Sequence, residues 1–553
     1  IVFFRLGDFY EMFFDDAVKA APIIGIALTS RNKKAQDETP MCGVPHHSIA
    51  NPVNKLLAAG LKVALCDQIE DPKEAKGIVK RAVTRVLTPG MVFDPETLDA
   101  HQPLYLASFD GGLSGMVSGI QSDIQSVSFL DATTGEAFYF TDFCDIDKIF
   151  RILPVTELVV GSQDLARAQQ VRRLVGTITV FDFDPESVPE SEHAVISSQR
   201  LIHYVKSLAG STETLRPFVA RQWQNRLELS QTVLRHLEIF QTYNNETKGS
   251  FFSSINRTQT SMGSRLLRRW VAFPLVNEEA ILKRQNEIKS FINNPDVLKE
   301  LRKHLSRTGD VDRRLGKLAM AQAGPRDLLS LVEAIENGLA AFDCLKKISQ
   351  ENISQGSLNS ALMSDTASFT ASLAELIEQS RATFVEDAPI SSKQGHIIRQ
   401  GVNAELDEYI YLSEHSQQLV QDLEQREREN TGISSLKVRY NNVFGYYIEI
   451  TNTHKDKAPD HYRRKQTLTN AERFFTEELV ELERKVLSAQ ARRFELESTL
   501  FDEFKSKVLK CSREILEFAS LLAEVDVCSS GAWLAIEQSY VCPLIVPKEF
   551  GLE

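Results

Sequence analysis

The stretch AERFFTEELVELERKVLSAQARRFELESTLFDEFKSKVLKCSREILEFASLLAEVDV, Ala471–Val527, decides the architecture of this chain. Leu479, Leu482, Val486, Leu500, Phe504, Val508, Ile515 and Leu522 recur on a roughly helical period. The wider segment Thr451–Ser530 holds no glycine and one proline, Pro459, so nothing after that proline obliges a helix to stop. One unbroken helix of about 50 residues would reach about 75 Å at 1.5 Å per residue. Upstream, Ala404–Asn430 carries Leu406, Ile410, Leu419 and Leu423 and predicts a second long helical run. Between the two runs, Leu436–Tyr440 and Tyr446–Ile450 flank Asn441-Asn442 and Gly445 and are expected to pair as a hairpin. Two long helices holding a strand-rich tip describe an arm.

The tip reverses the charge of the chain. Lys437, Arg439, Lys455, Lys457, Arg463, Arg464, Lys465 and Arg473 face only Glu449, Asp456, Asp460 and Glu472, a local balance of +4 in a protein of net charge −12. A positive tip on an acidic body suits clamping of a nucleic-acid backbone by phosphate neutralisation. Asn470, just after the basic cluster, is a candidate phosphate hydrogen-bond donor. A solvated basic hairpin is the plainer alternative.

Outward from the arm, 553 residues predict several domains, since single cores stop growing beyond ~250–300 residues. Apolar residues at 42% and charged ones at 25% are ordinary for a globular protein. Residues 1–95 mix β-rich runs (Ile1–Leu6, Lys62–Gln68, Ala82–Leu87) with helical patches and exit at Thr88-Pro89-Gly90 and Asp94-Pro95. Residues 103–228 predict a second α/β domain, with strand–turn–strand over Val127–Phe143, a helix near Asp147–Leu153 and a strand at Leu158–Val160. From Leu229 helices dominate, through Leu266, Leu267, Trp270, Ile281, Ile288 and Leu315. The fold class is therefore α/β plus all-α, multidomain. The seven cysteines are odd in number and widely spaced without a C-x-x-C, which predicts reduced thiols and neither a disulfide frame nor a zinc site. No signal peptide opens the chain and no apolar run approaches the ~20 residues of a membrane span. The chain opens at Ile1 directly in a strand pattern, and both ends read as cut.

Near the start lies Gly7-Asp8-Phe9-Tyr10-Glu11. In an extended segment residues i and i+2 share a face, so Phe9 and Glu11 are expected together, opposite Asp8 and Tyr10. An exposed aromatic is the kind of wedge that proteins insert between base steps, at a few kcal/mol per step unstacked. A mispair is already poorly stacked, so the cost is lower there, and selectivity follows without reading a sequence. The carboxylate is repelled by phosphates but serves as a hydrogen-bond partner to a displaced base. Spacing alone reads Phe9 more readily as one core phenylalanine among 31. Arg31, Lys33 and Lys34 follow an apolar run and suit either a backbone contact or a solvated turn. His46 and His47 lack a matching ligand set, and no metal is assigned to them.

These motifs carry a resemblance. IVFFRLGDFYEMFFDDA (Ile1–Ala17), PMCGVPHHS (Pro40–Ser48), RTQTSMGSRLLRRW (Arg257–Trp270), LKVRYNNVFGYYIEI (Leu436–Ile450), RRKQTLTNAERF (Arg463–Phe474) and LAEVDV (Leu522–Val527) are similar, in order, to the MutS family of bacterial DNA mismatch-recognition ATPases. The resemblance implies a mismatch-recognition domain (1–95), a connector with a ribonuclease-H-like sheet (103–228), a helical core with long lever helices (229–400 and 476–553) and a β-rich clamp inserted in the lever (401–475). It implies Phe9 as wedge, Glu11 as base contact and Arg31 as a nearby basic residue. Lys437, Arg439, Arg463, Arg464, Lys465, Asn470 and Arg473 become the backbone contacts of the clamp. Arg265, Arg268 and Arg269 fall at the start of the core and are expected to pack and to form inter-domain ion pairs. The implied partners are double-stranded DNA with mismatches or small loops, a second copy of the full-length chain and a MutL-type repair factor, in the cytoplasm at the nucleoid and not at a membrane.

The family needs ATP and magnesium, held by a glycine-rich phosphate loop. No G-x-x-x-x-G-K-[ST] occurs here, and Gly316-Lys317 lacks both the upstream glycine and the following hydroxyl residue. The chain, stopping at Glu553, is thus expected to end before the nucleotide domain, to bind no cofactor and to be no enzyme by itself. Two rivals remain. A nuclease on the connector fold would use carboxylates such as Asp123, Asp131 and Glu136. A lever-arm DNA-binding scaffold without mismatch reading would leave the Phe9–Glu11 pair unexplained.

Overall fold

A computed structural model describes residues 1–31, 39–69, 79–92, 98–111, 124–141, 146–184, 195–209, 211–222, 226–227, 229–320, 323–351, 359–391, 394–441, 445–467 and 471–545. The chain divides into two compact units. Ile1–Ala323, Ser330–Ile377 and Val508–Glu553 form the first, and Gly324–Leu329 with Glu378–Lys507 the second.

The first unit opens with a six-stranded sheet, β1 (Val2–Leu6), β2 (Phe9–Phe13), β3 (Thr29–Arg31), β4 (Thr39–Pro45), β5 (Val63–Gln68) and β6 (Arg81–Leu87), in the order β3-β4-β2-β1-β5-β6. β1 pairs with β5 in parallel, and the other pairs are antiparallel. The β-rich runs expected from sequence fall on β1, β5 and β6. Gly7-Asp8 is the two-residue loop between β1 and β2, and Gly7 has φ +61°, the conformation such a hairpin turn asks of glycine. Phe3, Tyr10 and Met12 point into a core shared with Ala17, Ala20 and Ala21 of the helix Phe14–Ile24 and with Leu56 and Leu57 of the helix Ala50–Ala58. Each large apolar side chain buried there contributes about 1.5–3 kcal/mol.

A second six-stranded sheet follows, β7 (Tyr105–Gly111), β8 (Ile124–Asp131), β9 (Glu136–Phe140), β10 (Val155–Val160), β11 (Val175–Val180) and β12 (Val219–Ala220), ordered β11-β10-β7-β8-β9-β12. β7, β8 and β9 form an antiparallel meander, while β10 runs parallel to β7 and β11. The expected strand–turn–strand is β8–β9, closed by the pair Asp131↔Glu136. The expected helix is Ile146–Ile152. One face is aromatic: Phe129 stacks on Phe138 at 5.2 Å, and Tyr105 meets both edge-on.

The described remainder of the first unit is mainly helical. The helices Ser261–Ala272, Glu278–Ile292 and Val311–Ala319 start at capping side chains, Thr260, Asn277 and Asp310, whose oxygens accept from the first turn. The helix Ser512–Gln538 packs against all three. By length and composition alone that helix could cross a membrane, which corrects the sequence expectation that no run comes near a span. Ile515, Phe518, Ala519, Leu522 and Val525 are buried among its neighbours, so it is a core helix of this unit.

In the second unit the expected helical runs are interrupted. The upstream run is two helices, Ala404–Glu414 and Ser416–Thr431, parted at His415 (φ −105°, ψ 16°). The single helix of about 50 residues does not form. Ala471–Phe475 is a strand, the helix Glu477–Lys510 begins only after Thr476, and a break at Cys511 precedes Ser512–Gln538. Thr476 Oγ1 caps the start by accepting from Leu479 N at 3.1 Å. The tip is a four-stranded antiparallel sheet, β13 (Lys437–Asn441), β14 (Gly445–Thr451), β15 (Arg463–Thr467) and β16 (Ala471–Phe475), ordered β13-β14-β16-β15. The expected hairpin is β13–β14, in the register Lys437↔Glu449. Val438, Ile448, Ile450 and Phe474 bury one face against Leu423, Leu436 and Leu479.

Candidate nucleic-acid interface

Burial along β2 alternates. Phe9 is 47% exposed, Tyr10 and Met12 are buried, and Glu11 is half-buried between them. Phe9 and Glu11 thus share one face, as the strand period predicts. Across the sheet, Leu6 and Pro45 flank Phe9, while Phe4 and Gly43 flank Glu11. A Cβ on Gly43 would lie 3.3 Å from Glu11 Cγ and 3.2 Å from the Tyr10 carbonyl oxygen, so glycine keeps that side of Glu11 clear.

The opposite face holds the strand still. Tyr10 meets Phe3 edge-on at 6.2 Å, and its hydroxyl donates to Asp67 Oδ1 at 2.5 Å. Thr84 Oγ1 donates to Asp67 Oδ2, also at 2.5 Å. Burial first, then the bond and charge of Asp67, push the Tyr10 hydroxyl up to about 12, so it remains a donor at every physiological pH.

Sequence reasoning missed Arg81. Its guanidinium lies 5.3 Å from the ring centre of Phe4, the cross-strand neighbour of Glu11, and its Nε donates to the Arg5 carbonyl at 2.8 Å. A cation is therefore fixed beside the Phe9–Glu11 face. The only local signal was a basic residue one position before the expected strand Ala82–Leu87. Arg31 ends the edge strand β3, opposite Thr39, and Lys33 and Lys34 lie outside the described residues. His46 belongs to the turn after β4, where its backbone N–H donates to the Asp8 carbonyl at 2.8 Å.

In the four-stranded sheet of the second unit the basic residues separate into two kinds. Arg463 and Arg464 carry side chains 66% and 60% exposed, beside Glu477 at 3.0 Å and Glu472 at 2.9 Å. Lys437 and Arg439 stand exposed on either side of buried Val438. Arg473 is only 18% exposed, reaches Glu449 at 3.6 Å and Gln466 at 2.8 Å, and lies over the Tyr447 ring at 4.2 Å. That arginine is built into the sheet. The Arg463–Glu477 pair is exposed on both sides and weak, ~0–1 kcal/mol, so Arg463 can exchange its carboxylate for a phosphate, whereas Arg464 pairs with the buried Glu472. Lys465 lies on β15, and Asn470 lies outside the described residues.

Arg265, Arg268 and Arg269 pack, as the sequence led us to expect. Arg265 donates to Asp310 at 2.6 and 2.8 Å and to the Ala100 carbonyl at 3.0 Å, and Arg268 lies over the Phe240 ring at 4.2 Å. Arg269 binds Glu136, which also accepts from Arg221 at 2.8 Å and from the Tyr105 hydroxyl at 2.9 Å. Burial alone would raise the Glu136 carboxyl, but Arg269 and Arg221 together outweigh it and hold the group well below the usual carboxylate range. Asp131 is fully buried and accepts from Leu104 N, Thr133 N and Thr133 Oγ1. Two of the three nuclease carboxylates thus have structural partners, and Asp123 lies outside the described residues.

Two motifs far apart in sequence meet at Asp526. Its carboxylate accepts from Gln259 N at 2.9 Å, Thr260 N at 2.7 Å and Thr260 Oγ1 at 2.7 Å. A Cβ on Gly263 would come within 2.3 Å of Asp526 Oδ2, so only glycine lets the helix Ser261–Ala272 sit this close.

A mixed α/β N-terminal region leading into a helical core defines a modular, multidomain protein. Residues 1–96 match the family model for MutS domain I and residues 232–532 that for MutS domain III. This chain belongs to the MutS family. It is 34% identical to the DNA mismatch repair protein MutS of Syntrophobacter fumaroxidans, over 99% of this chain and 62% of that protein. It is 35% identical to the proteins of the same name from Desulforapulum autotrophicum and Caldicellulosiruptor bescii, over 99% and 98% of this chain and 63% of each relative. The chain thus spans less than two thirds of the length of these relatives.

Proposed function

We propose that this chain binds mispaired or unpaired bases in duplex DNA and so starts mismatch repair. The observation that carries the reading is Phe9, an aromatic half open to solvent on a strand whose other face is locked into a core. Phe9 enters the stack where stacking is already weak, and the lower cost at a mispair supplies the selectivity. Glu11, sharing that face, hydrogen-bonds the displaced base. Arg81 supplies positive charge beside it, and Arg31, at the end of the edge strand β3, serves as a separate backbone contact farther along the sheet. The basic four-stranded sheet acts as the clamp, through Lys437, Arg439, Arg463, Arg464, Lys465 and Asn470 on phosphates, with Arg473 bracing the sheet.

The strand order around β7, a meander on one side and parallel β10 and β11 on the other, supports reading residues 103–228 as a ribonuclease-H-like connector. The helices around the clamp act as levers. ATP with magnesium, pairing with a second copy, handover to a MutL-type factor and a cytoplasmic, nucleoid-associated location belong to this reading as properties of the longer protein.

The test is binding of the full chain to a G·T duplex and to its matched counterpart at one salt concentration. The parent should prefer the mismatch. Phe9→Ala should abolish the preference and keep weak, salt-sensitive binding. Equal preference in parent and variant would leave only a DNA-binding scaffold.

A further inference from the structure

We infer that Glu300, His304 and Cys344 form a binding site for a zinc-class divalent metal ion in the helical part of the first unit. Glu300 and His304 stand one turn apart on the helix Pro295–Thr308 and therefore share a face. Cys344 comes from a different helix, Pro325–Glu351. A carboxylate oxygen, an imidazole nitrogen and the thiol sulfur of these residues all lie within 4.8 Å of one another.

The chemistry of the donors selects the ion. A thiolate with an imidazole suits a borderline-soft metal such as zinc, with cobalt as its spectroscopic stand-in, and disfavours magnesium or calcium, which take oxygen ligands. Three protein ligands and a water complete a tetrahedral shell. Burial is graded across the set. Cys344 is buried, His304 half-buried and Glu300 exposed, so the ion enters from the solvent side and the exposed carboxylate closes on it. On binding, the Cys344 thiol, now directed at the Ala340 carbonyl at 3.4 Å, gives its proton to solvent and ligates as thiolate, while His304 ligates as neutral imidazole. No oxidant or reductant is involved. The bound ion ties two helices together and stabilises the unit by mass action.

Sequence spacing alone led away from a metal, because no two cysteines are close. The site takes its ligands from two helices, and no local motif records that.

The full chain, freed of metal with a chelator, is titrated with cobalt(II) while the thiolate-to-cobalt charge-transfer absorption is followed. The parent should show one saturable site, displaced by zinc, and zinc should raise its melting temperature. Cys344→Ser and His304→Gln should each abolish the band and the zinc-dependent melting shift, while Cys511→Ser and Cys542→Ser keep both. His304 is only half-buried, so its variant decides the matter if Cys344→Ser fails to fold. No band in the parent, a band that survives His304→Gln, or a band that disappears in Cys542→Ser would overturn the assignment.

Discussion

The Tyr10 hydroxyl donates to Asp67 over the top of strand β1, joining β2 to β5 at 2.5 Å and fixing the strand that carries Phe9. Tyr10→Phe keeps the ring and its packing on Phe3 but removes the donor. We expect a stability loss of about 1 kcal/mol. We also expect a reduced preference for mismatched over matched duplex, since a looser strand aims Phe9 less well. Thermal melting and paired anisotropy titrations measure the two effects. A variant that melts lower but discriminates as well as the parent would show that the wedge does not depend on this strut.

Arg463→Gln together with Arg464→Gln should weaken binding to matched and mismatched duplexes alike. Each phosphate that is no longer neutralised lowers the slope of log affinity against log salt by ~0.9. Folding should be little affected by Arg463→Gln, whose pair with Glu477 is exposed and weak, while Arg464→Gln takes the arginine from the buried Glu472 and should lower the melting temperature as well. Titrations at several salt concentrations supply the slopes. A defect confined to mismatched duplex would mark these residues as base readers.

Glu136→Gln removes the carboxylate that Arg269 and Arg221 share. Breaking a fully buried pair costs ~3–5 kcal/mol. Here both arginines keep some solvent access, so about 2–3 kcal/mol is expected. The folded carboxyl lies below its usual 4.5, so its stabilisation is complete above that value and is lost as pH falls through the acid range. The gap between parent and variant in urea unfolding should therefore be widest near neutrality and shrink below pH ~4.5. A gap that stays constant with pH would assign the loss to packing instead.

Asp526 behaves in the opposite sense. Burial above all raises its carboxyl from 3.8 to about 6, although Gln259 and Thr260 donate to it and Arg302 faces it. A raised folded value favours the protonated group. The associated stabilisation is complete below 3.8 and is lost as pH rises through about 6. Relative to Asp526→Asn, the parent should gain on the order of 2 kcal/mol between pH 7 and pH 4. Parallel stability–pH profiles for the two proteins would contradict this.

Much of the fold was legible where the pattern is local. The hairpin β13–β14 announced itself through Asn441-Asn442 and Gly445, and the shared face of Phe9 and Glu11 followed from reading Gly7–Glu11 as extended. The failures share a cause. Ala471–Phe475 is helix-compatible in isolation, yet Phe474 faces Ile448 on one side and Arg464 on the other, and those distant pairings make it a strand. The breaks at His415 and Cys511 carry no glycine or proline to mark them. In the tip the sign of the charge was readable, but the different standing of Arg473 and Arg463 was not, because it depends on Tyr447 and Gln466. Arg81 escaped notice for the same reason: its place over Phe4, the cross-strand neighbour of Glu11, exists only once β5 and β1 are ordered between β6 and β2 in the sheet.

The helix Ser512–Gln538 is synthesised long after the helix Ser261–Ala272, yet Thr260 and Gly263 are shaped to receive its Asp526. During synthesis the helix Ser261–Ala272 therefore waits, with its apolar face uncovered, for residues made 266 positions later. The β-rich N-terminal sheet and the second unit contain their own partners and can close meanwhile. The interval before that helix arrives is when the nascent protein most needs shielding from aggregation.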